Sequence, residues 1–161
     1  MQKEPDLDRI DRKILSILQE DGRIANLKLA EAVALSPTAV LARVQRLTRD
    51  GFILGYEARL NPIKLGAGML VFVEVLLDRT TLNVFDQFKA AVQVHPEIME
   101  CHTAFGERDI LMKIIARSLD WYQNFIFKVV QKLPGVIDIQ STVTLSEIKS
   151  TTAIPVRQNL P

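Results

Sequence analysis

Residues 36–51, Ser-Pro-Thr-Ala-Val-Leu-Ala-Arg-Val-Gln-Arg-Leu-Thr-Arg-Asp-Gly, leave the chain little conformational choice. Ser36 is a favoured N-cap, Pro37 suits the first helical position, and Gly51 supplies the usual stop. Between them Val40, Val44 and Leu47 recur at helical spacing on one side, while Arg43, Arg46 and Arg49 stand elsewhere on the cylinder. The stretch therefore reads as a helix with a core side and a charged side. Just upstream, Leu27, Leu29, Ala30 and Val33 form a second short apolar stripe, separated from Ser36 only by Ala34 and Leu35. That is helix, tight turn, helix.

The flanks extend this pair into a domain over residues 1–60. Leu7, Ile10, Ile14, Ile17 and Leu18 make a further amphipathic helix, with Asp6 and Asp8 near its start, where carboxylates favour the helix dipole. After the second pair member, Gly51-Phe-Ile-Leu-Gly-Tyr56-Glu-Ala reads as a short extended wing. Three helices followed by a strand pair describe a winged helix-turn-helix, a DNA-binding architecture.

Charge supports this once it is counted locally. The whole chain carries a formal net charge of only +1. Residues 22–49, however, hold Arg23, Lys28, Arg43, Arg46 and Arg49 against Glu31 alone, while residues 4–21 hold more acids than bases. Positive charge is thus concentrated on the segment expected to meet phosphate. With the Val40, Val44 and Leu47 stripe turned inward, a rotation of about 100° per residue places Thr38, Ala42, Gln45 and Arg49 outward, with Arg46 close by. Arg43 lies nearer the core edge, which suits phosphate contact or packing, and Ser36 at the helix start is placed to meet phosphate.

At 161 residues and 48% hydrophobic, the chain is long enough for two small cores or one ordinary one. No apolar run approaches the ~20 residues that span a bilayer, and the first residues do not resemble a signal peptide, so a cytoplasmic protein without membrane contact is expected. One cysteine, Cys101, excludes an internal disulfide framework. Cys101, His102 and His95 offer too few ligands, at the wrong spacing, for a metal site, and none is expected. Catalysis finds equally little material: neighbouring strand residues such as Cys101 and His102 point to opposite faces and would not meet.

The second half changes period. Met69 to Leu77 is a β-branched apolar run and reads as a central strand. Thr81 is positioned to cap a helix carrying Val84, Phe85, Phe88 and Val92, which ends before Pro96. Ile98 to Phe105 reads as a strand, Gly106 to Asp109 as a turn, and Ile110 to Ala116 as the antiparallel partner. Ser118 caps a helix with Trp121, Tyr122, Phe125, Val129 and Val130, broken at Leu133-Pro134-Gly135, and Val136 to Ile148 gives a last strand. The order β-α-β-β-α-β is the split unit of a ferredoxin-like fold, an α/β sandwich over residues 69–149 in a chain of α+β class. Both helices on one face of an antiparallel sheet leave the other face wanting a partner. Residues 61–68, with Pro62, Gly66 and Gly68, form the linker, and residues 150–161 a peripheral tail.

On these residues the chain resembles the Lrp/AsnC, or feast/famine, family of regulators. The matching stretches are Leu7-Asp-Arg-Ile-Asp-Arg-Lys-Ile-Leu15, Asp21-Gly-Arg-Ile24, Leu35-Ser-Pro-Thr38, Arg43-Val-Gln-Arg-Leu47, Gly51-Phe-Ile53, Leu60-Asn-Pro62, Val71-Phe-Val-Glu74, Glu100-Cys-His102 and Leu133-Pro-Gly-Val136. The resemblance implies a transcription regulator that binds double-stranded DNA, needs no cofactor, and responds to a free amino acid as effector. It also implies a homodimer that assembles further, to an octamer built as a tetramer of dimers. In the family, effectors sit between dimers, beside the turn joining the middle two strands and near the last strand. The matching positions are Gly106, Glu107, Arg108 and Asp109 in the turn and Thr142 and Thr144 on the strand, with Asp109 expected to receive the ammonium group.

This sequence departs from the family where effector choice would be set. Arg108 and Ile110 flank Asp109 where the family carries aromatic residues, and His102-Thr-Ala-Phe105 differs from the commoner aliphatic lining. Leucine is therefore not carried over as the effector, and Arg108 either steers the site toward a polar side chain or points into solvent. A stand-alone effector-binding protein without DNA binding is the alternative, opposed by the intact helix from Ser36 to Gly51.

Overall fold

The computed structural model describes residues 7–156, which form two compact units. One holds the residues up to Arg59 together with those from Lys149 onward; the other spans Leu60–Ile148.

The first unit is built on three helices, α1 (Arg9–Glu20), α2 (Asn26–Val33) and α3 (Pro37–Arg49). Asp8 caps α1 through a reciprocal capping box, in which the Asp11 N–H donates to Asp8 Oδ1 at 2.7 Å and the Asp8 N–H donates to Asp11 Oδ2 at 3.2 Å. The Asp6 expected beside it lies outside the described residues. Ser36 caps α3 as its position demands, its Oγ accepting from the Ala39 N–H at 3.2 Å. The apolar stripes meet as one core of Ile14, Leu29, Ala30, Val33, Val40 and Leu47. Lys13 Nζ donates to the Ala32 carbonyl at 2.5 Å and so ties α1 to the end of α2.

Two expectations for this unit are corrected. Residues 53–61 belong to no helix or strand, so the wing has no strand pair within the described residues. A wing needs two paired strands, and the chain forms neither here. The tail is not merely peripheral: Ile154 exchanges two hydrogen bonds with the Gln19 side chain, at 2.6 and 2.9 Å, and is thereby clasped to α1.

The second unit is an antiparallel sheet of β1 (Met69–Leu77), β2 (Ile98–Thr103), β3 (Ile110–Ala116) and β4 (Val136–Val143), in the order β2-β3-β1-β4. With α4 (Val84–Val92) and α5 (Leu119–Lys128), this is the expected ferredoxin-like βαββαβ topology. Val71, Val73, Val75 and Leu77 alternate inward with Ile110, Met112, Ile114 and Ala116 and pack on Phe88, Tyr122 and Phe125. Strand boundaries are tighter than the sequence suggested, since β2 stops at Thr103 and β4 at Val143. The N-cap position of α4 is Asn83, in the left-handed region at φ 58° and without a side-chain cap bond, not Thr81, whose hydroxyl donates to Asp78 at 3.0 Å in the preceding turn. Ser118 caps α5 as expected, accepting from the Trp121 N–H at 3.2 Å. The 61–68 segment is a closed turn, in which the Ala67 N–H reaches the Pro62 carbonyl at 2.9 Å and Gly66 takes φ +72°.

The helix-turn-helix itself stores a small strain. Ala34, at the end of α2, sits in the left-handed region at φ 56°, a conformation that costs a Cβ-bearing residue about 1 kcal/mol. Replacing Ala34 by glycine should therefore stabilise the first unit by about 0.5–1 kcal/mol, offset in part by the greater unfolded-state entropy of glycine. Urea denaturation would register this as a raised midpoint at unchanged slope.

Candidate DNA interface and effector turn

The polar side of α3 divides into two groups. Arg43 and Arg46 turn back toward α1 and share one carboxylate, that of Asp11, whose side chain is only 1% exposed. Arg43 Nη1 lies 2.8 Å from Asp11 Oδ1 and 2.6 Å from Asp8 Oδ2, and Arg46 Nη2 meets Asp11 Oδ2. A carboxylate without water must be matched by donors, and here two guanidinium groups and a helix N-terminus supply them. The Asp11 N–H, with Arg43, holds the Asp8 carboxyl below the usual carboxylate range. Its contribution to stability is present above that range and is lost as the pH falls through the lowered value.

The second group faces outward without such ties. Thr38, Leu41, Ala42, Gln45, Thr48 and Arg49 are exposed, and so is Ser36 at the helix start. Arg49 is held only by its neighbour Asp50 at 3.0 Å, and the Thr48 hydroxyl donates to the Val44 carbonyl at 2.9 Å. The helical wheel thus placed Thr38, Gln45 and Arg49 on the free face. Arg46 is corrected: its α-carbon lies toward that face, but its guanidinium is engaged by Asp11. Leu41 was not anticipated on that face.

In the second unit, β2 and β3 are joined by the turn Ala104–Asp109, closed where the Ala104 N–H donates to the Asp109 carbonyl at 2.7 Å. Asp109 is 3% exposed and committed inside the protomer. Its Oδ2 accepts from the Leu77 N–H at 2.8 Å, and its Oδ1 from Arg79 Nε at 2.8 Å, with Arg79 Nη2 at 2.6 Å. Burial pushes its pKa up, but the Leu77 N–H and Arg79 outweigh burial and hold the carboxyl ionised, below the usual range. Both oxygens are engaged within the protomer, which makes Asp109 the anchor of the turn. Arg108 pairs with Asp138 on β4, so it does not point freely into solvent. Gly106 and Glu107 are exposed, and Glu107 has no partner among the described residues.

The two strand candidates lie elsewhere. Thr142 stands opposite Phe72, and the Thr144 hydroxyl donates to the Leu70 carbonyl at 2.9 Å, whereas the turn adjoins Val75 and Leu77. At about 3.3 Å per strand residue, roughly 10 Å along β1 separates Thr142 from the turn and roughly 17–23 Å separates Thr144 from it. One protomer therefore does not gather the six effector candidates into one pocket. Sequence reasoning missed Arg79 and Asp138, whose pairs span loops; only their being opposite charges near strand ends signalled them. Cys101 and His102, opposite Met112 and Leu111, fall on different faces of the sheet and form no catalytic pair.

The Asp11 pairing changes what arginine substitutions should do. Arg46→Ala leaves a buried carboxylate with one fewer donor, so it should lower the stability of the first unit by about 1–3 kcal/mol in addition to any loss of DNA affinity. Gln45→Ala and Arg49→Ala should weaken DNA binding with the unfolding midpoint unchanged. Thermal denaturation beside a gel-shift titration at two salt concentrations separates these effects.

Comparison with known proteins accords with both units. The sequence pattern for winged helix-turn-helix DNA-binding matches residues 7–53, and that for the Lrp/AsnC ligand binding domain matches residues 70–154. The chain is 47% identical to the leucine-responsive regulatory protein of Salmonella typhimurium over 152 residues, 94% of this chain and 93% of that protein. A transcriptional regulator from Neisseria meningitidis, solved in complex with L-methionine, superposes with a TM-score of 0.89 at 35% identity, covering 93% of this chain and 97% of that one. An AsnC family transcriptional regulator from Agrobacterium tumefaciens gives a TM-score of 0.88 at 33% identity over the same shares. With a capped recognition helix in one unit and a βαββαβ ligand-binding fold in the other, the chain belongs to the Lrp/AsnC family of effector-responsive, DNA-binding transcriptional regulators, which are not enzymes.

Proposed function

We propose that this regulator reads double-stranded DNA through the free face of α3 and senses a free amino acid at the turn Ala104–Asp109. The observation that carries the DNA assignment is the division of α3. Arg43 and Arg46 are held by Asp11, while Thr38, Gln45 and Arg49 stand free beside Ser36. In this reading Thr38 and Gln45 meet base edges, while Ser36 and Arg49 contact phosphate, and Arg43 and Arg46 hold α3 against α1 through Asp11. Two such helices in a homodimer enter successive major grooves, and further assembly, up to an octamer, brings several sites together. Such a protein works in the cytoplasm; among the described residues no helix is long and apolar enough to cross a membrane.

The amino-acid assignment draws on the Neisseria regulator, solved with L-methionine, and on the chemistry of the turn. Exposed backbone at Gly106 suits a carboxylate, and the unpaired Glu107 suits an ammonium group, with Asp109 holding both in place. Thr142 and Thr144, far along the sheet in one protomer, reach an effector only where another subunit brings them in. Effector binding between dimers then shifts which assembly is populated, which requires different affinities for the two states.

A thermal-shift screen of the twenty amino acids on the purified protein tests the effector class, since a ligand that binds only the native state raises its stability. Glu107→Ala should abolish the shift for the best ligand while leaving the unliganded midpoint in place. Asp109→Ala should abolish it too, but should also lower the unliganded midpoint, because the Leu77 N–H and Arg79 lose their partner. A Glu107→Ala protein that responds at full strength would remove Glu107 from the site.

Assembly has its own basis. The face of the sheet away from the helices carries Leu70, Phe72, Leu76, Leu111 and Ile115 around Glu74 and Lys113 on β1 and β3, and α4 and α5, the helices of its own unit, pack on the other face. An antiparallel sheet tolerates water on a polar side; here the centre of the face, on β1 and β3, is apolar while β2 and β4 flank it with Glu100, His102, Asp138, Gln140 and Thr142, so a second copy is the natural cover for that centre. Light scattering at micromolar concentration should find a dimer or a larger species, and Phe72→Glu should shift the population toward monomer.

A further inference from the structure

The free face of α3 has an apolar centre that hydrogen-bonded base reading does not use. Leu41 is 47% exposed and belongs to neither core cluster. It stands one helical turn from Thr38 and from Gln45, with Ala42 beside it, so that exposed positions 38, 41, 42 and 45 form one stripe. At 1.5 Å per residue the stripe is about 10 Å long, close to three base-pair steps. Three of its four side chains end in methyl groups. A surface that met only phosphate would gain nothing from a leucine there, and leaving it in water forfeits the burial free energy of its branched end.

In the major groove, thymine alone presents a methyl group, and small apolar side chains are its natural contact. We propose that Leu41, with Ala42 and the Thr38 methyl, forms an apolar patch that reads thymine methyls, selecting A·T pairs at the centre of each half-site. Gln45 supplies the polar contact at one end of the stripe, and Arg49 anchors the backbone beyond it. Specificity at these positions then comes from shape and desolvation, which the arginines, two of them tied to Asp11, do not provide. The proposal rests on the placement of α3 in the major groove.

The test uses the full chain and the tightest duplex recovered from a randomised pool. That duplex is compared with copies in which single thymidines are replaced by deoxyuridine, which removes the methyl and nothing else. The wild-type protein should lose about fourfold in affinity for each contacted methyl. Leu41→Ala should bind the unmodified duplex about threefold to tenfold more weakly and should no longer distinguish thymine from uracil at the same position. Its unfolding midpoint should match the wild type, since Leu41 lies outside the core. Equal wild-type affinity for all the uracil copies, or full discrimination retained by Leu41→Ala, overturns the proposal. Gln45→Ala separates the layers. If it weakens binding while uracil exchange has no effect, the thymine contact alone is wrong; if it too has no effect, the groove placement of α3 falls, and the proposal with it.

Discussion

Each unit of this protein buries one carboxylate, and the need to satisfy that charge decides which neighbouring groups remain for function. Among the described residues, Asp11 and Asp109 are the buried charged side chains. An unmatched buried charge is far too costly to persist, so donors must come to it. Asp11 draws Arg43 and Arg46 across from α3 and so clamps the recognition helix onto α1. Asp109 draws the Leu77 N–H and Arg79 and so fixes the turn between β2 and β3 to the end of β1. In both places the residue that looks most chemically active in the sequence is the one already spent on architecture, and the working surface is its neighbours.

That division explains what was legible in the sequence. Helix periodicity, the Ser36 and Ser118 caps and the β-α-β-β-α-β order are local signals, set within one or two turns of chain, and the structure follows them. The pairing of Asp11 with Arg46 spans 35 residues and no periodicity encodes it. A helical wheel reports where a Cβ leaves the helix, but an arginine is long enough to carry its charge back around the cylinder. Gly-x-x-Asp likewise spelled a turn without revealing that the Asp109 carboxylate points inward. Thr81 closes the turn before α4 through Asp78, and the helix begins only after Asn83. The wing strand failed to form a ladder because strands need partners, and one protomer offers none beside residues 53–61.

The effector candidates illustrate how far a single chain can define a site. Gly106 and Glu107 are presented on a turn braced at its C-terminal end, by Asp109 on the Leu77 N–H of β1 and by Arg108 on Asp138 of β4. Thr142 and Thr144 belong to the far end of the same sheet. A site that needs both groups is completed only by assembly, and ligand occupancy and oligomeric state then become one linked equilibrium. Such linkage gives a small molecule leverage over DNA binding without touching the recognition helix.

The chain path gives that linkage a route. The polypeptide leaves the first unit near Arg59 and returns to it near Lys149, so two covalent links, not one, connect the units. Both links depart from the same end of the sheet. The Thr144 N–H and hydroxyl both bond the Leu70 carbonyl, at 3.0 and 2.9 Å, and thereby hold the start of β1 beside the end of β4. The returning link is then secured to α1 through the pair of Gln19 and Ile154 bonds. Thr144, proposed above to reach an effector once the protein assembles, thus bonds at the end of the sheet where the chain enters β1 and leaves β4.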